Sequence, residues 1–307
     1  MNIKATIKNR FPHLTNCIVK VIKSFAIIKR NFYAFYYYFF LNKNGIQSDS
    51  DKQIIISLTT IPSRIKSVQI VIARLFNQTL KPNQLILYLG KEEFQNIQFP
   101  KLLQKEIKNG LTIKYCEDIK PHKKYFYTMK DFPNNIVITI DDDFWYSNKL
   151  IEKLYDSYLK HPNAVSCMHC TQMQKNGVNS FLPYTKWTIA KDINTEHFDY
   201  FPIGVGGVLY PPHALNKEVF NLDNIKKFCL FADDIWLKTM ELLNNTPVVL
   251  VEMIKKFKYI PASQEVALWK SNLNESKNDE QLNNVFKYYN NFLGEKENLF
   301  KKIFPKI

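Results

Sequence analysis

Ile136-Val-Ile-Thr-Ile-Asp-Asp-Asp143 is the stretch on which the reading of this 307-residue chain turns. Five apolar or β-branched residues in succession predict a strand buried on both faces, as in a parallel sheet. The three carboxylates that follow repel one another and would be desolvated at a buried strand end, which disfavours their charged forms. In extended chain, residues two apart point the same way, so Asp141 and Asp143 can share one metal face. An all-oxygen donor set suits Mg²⁺ or Mn²⁺. The bland alternative is a solvated acidic turn or charges at a helix start.

The segments around this strand alternate in type. Upstream, strands are expected over 53–58, 84–89 and 111–115, with helices over 67–76, 99–108 and 123–130 between and after them. Asn109-Gly110 is a helix-stop signal, and Pro133 ends the last helix before the acidic strand. Downstream come a helix over 148–160, a strand over 164–169, a glycine-containing turn feeding a short strand over 201–212, a helix over 232–243 and a strand over 247–251. This β-α-β-α order predicts an α/β fold, a mostly parallel sheet with helices on both faces. Ligands of such sheets bind at the carboxyl ends of the strands.

Composition narrows the class. Apolar residues make up 46% and aromatics 14%, with only 8 glycines, which excludes a disordered or collagen-like chain. Five scattered cysteines, an odd number, argue for reduced thiols. The Cys167-x-x-Cys170 pair lacks the partner pair of a zinc site. No Gly-Lys-Ser/Thr P-loop, H-x-x-x-H pair or G-x-S-x-G elbow is present.

The net charge of +14 is unevenly placed. Residues 1–48 hold eight Lys/Arg and no Asp or Glu, so +8 lies in an N-terminal appendage. There Ile18, Val21, Ile22, Phe25, Ile28 and Phe32 recur at helical spacing, followed by an uncharged aromatic run over 31–42. The run is short of the roughly 20 residues of a spanning helix. No cleavage site for a signal peptide follows it. Its helix either lies in an anionic membrane interface or packs on the body. Asn42 to Asp51 reads as a linker. At the other end, Phe292, Leu299, Phe300, Ile303, Phe304 and Ile307 interleave with Lys296, Lys301, Lys302 and Lys306. That pattern suits either a second interfacial helix or a cap on the body. The expected division is therefore an appendage and linker over 1–50, a catalytic body over 51–285 and a basic amphipathic C-terminal helix over 286–307.

A second acidic pair, Asp233-Asp234, opens the helix expected over 232–243. The helix dipole accounts for one carboxylate there, and the other is a candidate general base. With the triplet, the pair makes a two-site layout, one cluster for a metal and one for proton abstraction.

Four pieces, residues 54–64 (I-I-I-S-L-T-T-I-P-S-R), 136–143, 201–210 (F-P-I-G-V-G-G-V-L-Y) and 231–237 (F-A-D-D-I-W-L), resemble a GT-A-fold glycosyltransferase. The resemblance is to the family 2-like type of bacterial surface-polysaccharide synthesis. It implies a metal, Mn²⁺ or Mg²⁺, on Asp141 and Asp143 with Asp142 nearby, and a nucleotide cradle at Thr59, Thr60, Pro62 and Arg64. It also implies a glycine loop under the acceptor at Gly204, Gly206 and Gly207, and an inverting base at Asp234 or, second, Asp233. The second strand ends L-Y-L-G-K-E-E, where Glu92 fills the family's base-holding acidic position or nothing does. After the third strand, Asp118, Lys123 and Lys124 are placed to meet the donor, the lysines offsetting diphosphate charge; a solvated basic helix start is the alternative. The activity implied is metal-dependent inverting transfer from a nucleotide-sugar donor, a UDP-sugar, to a saccharide or lipid-linked saccharide acceptor. The expected location is the cytoplasm, peripheral on the inner face of the cytoplasmic membrane, with no nucleic-acid partner. The rival readings are a sugar nucleotidyltransferase of related fold and a non-catalytic basic membrane- or nucleic-acid-binding protein.

Overall fold

The computed structural model describes residues 12–40, 45–47, 53–177, 180–254, 257–264, 277–293 and 298–305. Lys4, Lys8, Arg10, most of the linker over 42–51, Lys296, Lys306 and Ile307 lie outside the described residues.

Besides a single helical turn at Lys91–Phe94, the helices in chain order are α1 (Pro12–Phe40), α2 (Ile65–Leu75), α3 (Lys101–Lys108), α4 (Lys123–Asp131), α5 (Leu150–Lys160), α6 (Leu222–Phe228), α7 (Asp233–Leu243), α8 (Lys277–Leu293) and α9 (Leu299–Ile303). The strands are β1 (Ile54–Thr59), β2 (Gln84–Gly90), β3 (Leu111–Cys116), β4 (Ile136–Ile140), β5 (Val165–Cys167), β6 (Cys170–Gln172), β7 (Thr188–Ile189), β8 (Glu196–His197), β9 (Tyr200–Pro202), β10 (Val208–Tyr210) and β11 (Val248–Leu250). The body elements expected from periodicity end within two residues of these bounds.

One sheet runs β3-β2-β1-β4-β10-β5-β11-β8. The four strands β3, β2, β1 and β4 are mutually parallel. Strand order reverses between β1 and β4, so the crevice outside their carboxyl ends is the natural ligand site. Antiparallel β10, inserted between β4 and β5, brings the glycine turn back to the end of β4. A second sheet, β7-β6-β9, stands beside it. Neither the insertion nor the small sheet follows from periodicity, since strands of two or three residues carry no readable period.

Alternation along β1 assigns its two faces. Ile54, Ile56 and Leu58 pack with Val68, Leu75 and Leu103 of α2 and α3. Ser57 points the other way, and Thr128 of α4 donates to its hydroxyl at 2.7 Å. A second cluster joins α4, α7, α8 and α9 through Tyr125, Trp236, Tyr289 and Leu299.

The two ends differ in what they do. The boundary expected at 285/286 falls inside α8. Leu299, Phe300 and Ile303 are buried in the core, so of the two roles the pattern suits, this helix takes that of a cap on the body. At the other end, α1 forms one continuous helix, docked by its last turns. Tyr37 is buried, Arg74 donates to its hydroxyl at 2.9 Å, and the Tyr33 ring lies 4.7 Å from that of Trp145. Among the described residues no helix is long and apolar enough to cross a membrane.

Candidate active site

The ends of β1 and β4, the start of α4, the glycine turn and the start of α7 meet around a cleft of about 670 Å³. That is the size of an ordinary ligand pocket. Asp141, Asp142, Asp143, Asp233 and Asp234 all line it, although the triplet and the pair are separated by some ninety residues of sequence.

Asp142 is the most buried of the triplet and faces the loop after β1. Its carboxylate accepts hydrogen bonds from the Thr60 hydroxyl and from Arg64 Nη1, the latter at 2.6 Å. It therefore ties the loop after β1 to the end of β4. Arg64 also stands 3.1 Å from Asp143. Thr59 and Thr60 line the cleft; Pro62 does not, and instead begins the 3₁₀ turn Pro62–Arg64 that aims Arg64 inward. Asp143 accepts from Gln264 Nε2 at 2.7 Å. Burial, then the charges of Asp142 and Asp141, push its carboxyl up to about 7 despite Arg64.

Lys124 is buried at the first turn of α4 and joins the two acidic groups. Its Nζ lies 2.8 Å from Asp141 Oδ1 and 2.9 Å from Asp233 Oδ2. Lys123 and Lys124, for which the sequence offers a donor diphosphate or solvent, both line the cleft. In the structure Lys123 pairs with Asp118, and Lys124 is held by the two aspartates. Burial raises the Asp118 carboxyl, but hydrogen bonds from Lys120 and Lys123 outweigh it and leave the group below its ordinary range.

The glycine turn packs behind the wall. Ile203 and Val205 face the cleft, whereas Gly204, Gly206 and Gly207 do not line it. A Cβ on Gly204 would come 3.0 Å from Lys124 Nζ and 3.2 Å from Asp141 Oδ1, so any larger residue would press on the bridge. Gly207 has φ +91°, a left-handed value that glycine adopts without strain. The Gly204 amide donates to Asp234 at 3.3 Å.

The paired aspartates differ in environment. Burial raises Asp233, but Lys124 and His122 overcome this and hold it below its ordinary range. Burial and the Asp233 charge drive Asp234 well above its ordinary value. Carboxyls pushed apart in this way divide into a fixed charge and a proton acceptor.

Lining residues that sequence reasoning missed include Glu93, Lys120, His169, Tyr184, Phe231, Phe257 and Tyr259. Glu93, not the exposed Glu92, reaches the cleft from the end of β2. His169 follows β5, where the strand-end rule could have found it. Burial lowers its imidazole to about 4, so it is neutral at pH 7. The aromatic side chains offer stacking faces for a base or sugar ring.

The donor chemistry fits a divalent cation. Seven carboxylates but four Lys/Arg line the cleft of a chain that is +14 overall. Asp141 and Asp143 would supply oxygen ligands. No group of three or more His, Cys, Asp or Glu arranged to hold a metal occurs among the described residues. An ion there would take its remaining ligands from water and a bound diphosphate, as Mg²⁺ commonly does. Cys116, Cys167, Cys170 and Cys229 are buried free thiols.

No family model matches the chain. A comparison with curated proteins also gives no match. Solved structures of similar layout include S. aureus TarS 1–349 in complex with UDP, at 12% identity and TM-score 0.42, covering 66% of this chain and 59% of that one. The chain thus spans less than two thirds of that TarS fragment. Another is the mannosyltransferase PcManGT from Pyrobaculum calidifontis in complex with GDP-Man and Mn²⁺, at 9% identity and TM-score 0.46, covering 94% and 79%. A third is CMP:2-keto-3-deoxy-manno-octonic acid synthetase complexed with CTP, at 13% identity and TM-score 0.40, covering 75% and 100%. The likeness is one of α/β layout.

Proposed function

We propose that this protein is an inverting glycosyltransferase. It moves a sugar from a nucleotide-sugar donor, a UDP-sugar, to a saccharide or lipid-linked saccharide acceptor of a bacterial surface glycan. One observation supports this above all: the strand-end triplet and the Asp233-Asp234 pair share one cleft, joined by Lys124 and Gly204.

Asp141 and Asp143 would hold Mn²⁺ or Mg²⁺, which when bound supplies positive charge to the departing nucleoside diphosphate. Thr59, Thr60 and Arg64 form the donor side, with Asp142 fixing the loop that carries them. Asp118 stands at the far end of that side, held by Lys120 and Lys123. Ile203 and Val205 shape the acceptor side. There Asp234 accepts the proton of the acceptor hydroxyl as the oxygen attacks the anomeric carbon. The raised proton affinity of Asp234 suits that task, and the ion pair with Lys124 keeps Asp233 charged and still. The protein works peripherally at the inner face of the cytoplasmic membrane in this reading.

The test is a donor screen. Each nucleotide sugar is incubated with Mn²⁺ and a panel of saccharide acceptors, and released nucleotide is measured. Release of a nucleoside diphosphate from one donor class, increased by one acceptor, is the expected result. Pyrophosphate release from a nucleoside triphosphate and a sugar phosphate, with no diphosphate release, would identify a nucleotidyltransferase instead.

A further inference from the structure

Helix α1 has two faces, one docked on the body and the other largely exposed, with Pro261 of the body beside Phe25, Ile28 and Phe32. At about 100° per residue, Arg30, Tyr33, Ala34 and Tyr37 point to one side, where α1 meets α2 and Trp145. Val21, Phe25, Ile28, Phe32, Phe35 and Phe39 fall within an arc of about 80° on the opposite side. These six side chains are between 54% and 68% exposed. Together they form an apolar stripe about 27 Å long at 1.5 Å per residue. Lys20 and Lys29 flank it, one on each side, and residues 1–48 contain no acidic residue.

We infer that this outward stripe is a membrane-docking surface whose partner is an anionic bilayer. The helix lies in the interface with its phenylalanines among the acyl chains and its lysines at the headgroups. The stripe is too interrupted by charge to span. Its spacing of four and three residues would also fit a two-helix seam with a second copy. Charge decides against that occupant: a self-pair would bring together two segments of +8 with no carboxylate beside the stripe to offset them. An anionic lipid surface offers that charge, each Lys contributing about fivefold in binding near such a surface.

Docking would also orient the cleft. The inner face of α1 stacks on Trp145, two residues beyond Asp143. The bilayer-bound helix is therefore fixed to the strand end that carries the acidic triplet. The inference rests on α1 alone and is independent of the reaction assigned to the cleft.

Co-sedimentation of the full chain with vesicles tests it without reference to chemistry. The protein should pellet with phosphatidylglycerol-containing vesicles and hardly with phosphatidylcholine alone. Binding should fall at least tenfold in a Phe25→Gln, Phe32→Gln, Phe35→Gln triple variant. The thermal midpoint should change little, because those side chains are largely exposed and meet the body only beside Pro261 among the described residues. A Lys20→Gln, Lys29→Gln variant should lose most of the preference for anionic lipid while keeping its fold. Equal pelleting by the triple variant would overturn the assignment. So would a vesicle-independent dimer of the parent chain that becomes monomeric in the triple variant.

Discussion

At the scale of single residues, Lys124 carries the most consequence. Its ammonium is the only cation within ion-pair distance of both Asp141 and Asp233 among the described residues. Burial works against that charge, and three aspartates, Asp141, Asp233 and Asp234, more than restore it, so the group stays protonated. Replacing it with methionine keeps the volume but leaves enclosed Asp233 and partly exposed Asp141 without this counter-ion. Breaking a buried pair from one side costs about 3 kcal/mol. Lys124→Met should lower unfolding free energy by that order in urea titration. An unchanged midpoint would show that water already screens the bridge. The sequence left this residue between a donor diphosphate and solvent, because charge alone cannot say what a lysine beside a strand end meets. By contrast, the place of Asp141 and Asp143 at the cleft was legible, because five β-forming residues before them mark the end of a buried strand.

At the scale of elements, the start of α4 is locked to the loop after α6 by a neutral histidine. His122 Nε2 lies 2.8 Å from the Cys229 carbonyl and so donates to it, leaving Nδ1 to accept from the Tyr125 hydroxyl. Burial lowers the imidazole to about 4, against weaker opposing effects of Asp233 and the Cys229 carbonyl. A depressed histidine contributes stability that is present above its unfolded value near 6.5 and lost as pH falls toward 4. The loss amounts to about 3 kcal/mol. Glu241, pushed up to about 7 by burial despite Lys238, acts with the opposite sign over a similar range, so the total profile can be flat. The comparison to make is therefore with His122→Gln. Relative to that variant, the parent chain should lose about 3 kcal/mol between pH 6.5 and 4. Parallel profiles would mean that His122 is protonated in the folded state. The regular helices and the parallel strands were readable from period and length. The link made by His122 was not, because its partner Cys229 is more than a hundred residues away and bonds through its backbone.

For the whole molecule, the ends show where sequence pattern stops deciding. Phe, Ile and Lys interleave in both terminal segments, yet Leu299, Phe300 and Ile303 are buried while Phe25, Ile28 and Phe32 are exposed. An amphipathic pattern states that a face is apolar, not what covers it. Burying three such side chains stabilises by on the order of 5 kcal/mol. Deleting residues 298–307 should therefore cost that much in denaturant unfolding, and a fully stable truncated chain would show that α9 is peripheral. The same limit applied to the cleft: the glycine turn was visible as G-V-G-G, but its placement behind Ile203 and Val205 depends on antiparallel β10. The central claim is that one cleft divides the labour of sugar transfer between the triplet and Asp234. It is tested most directly by Asp234→Asn, with donor binding measured by calorimetry and transfer measured by nucleotide release. The account predicts donor affinity within a few-fold of the parent and transfer reduced by about 10²–10⁴, the usual contribution of a general base. Near-normal transfer by Asp234→Asn would contradict it.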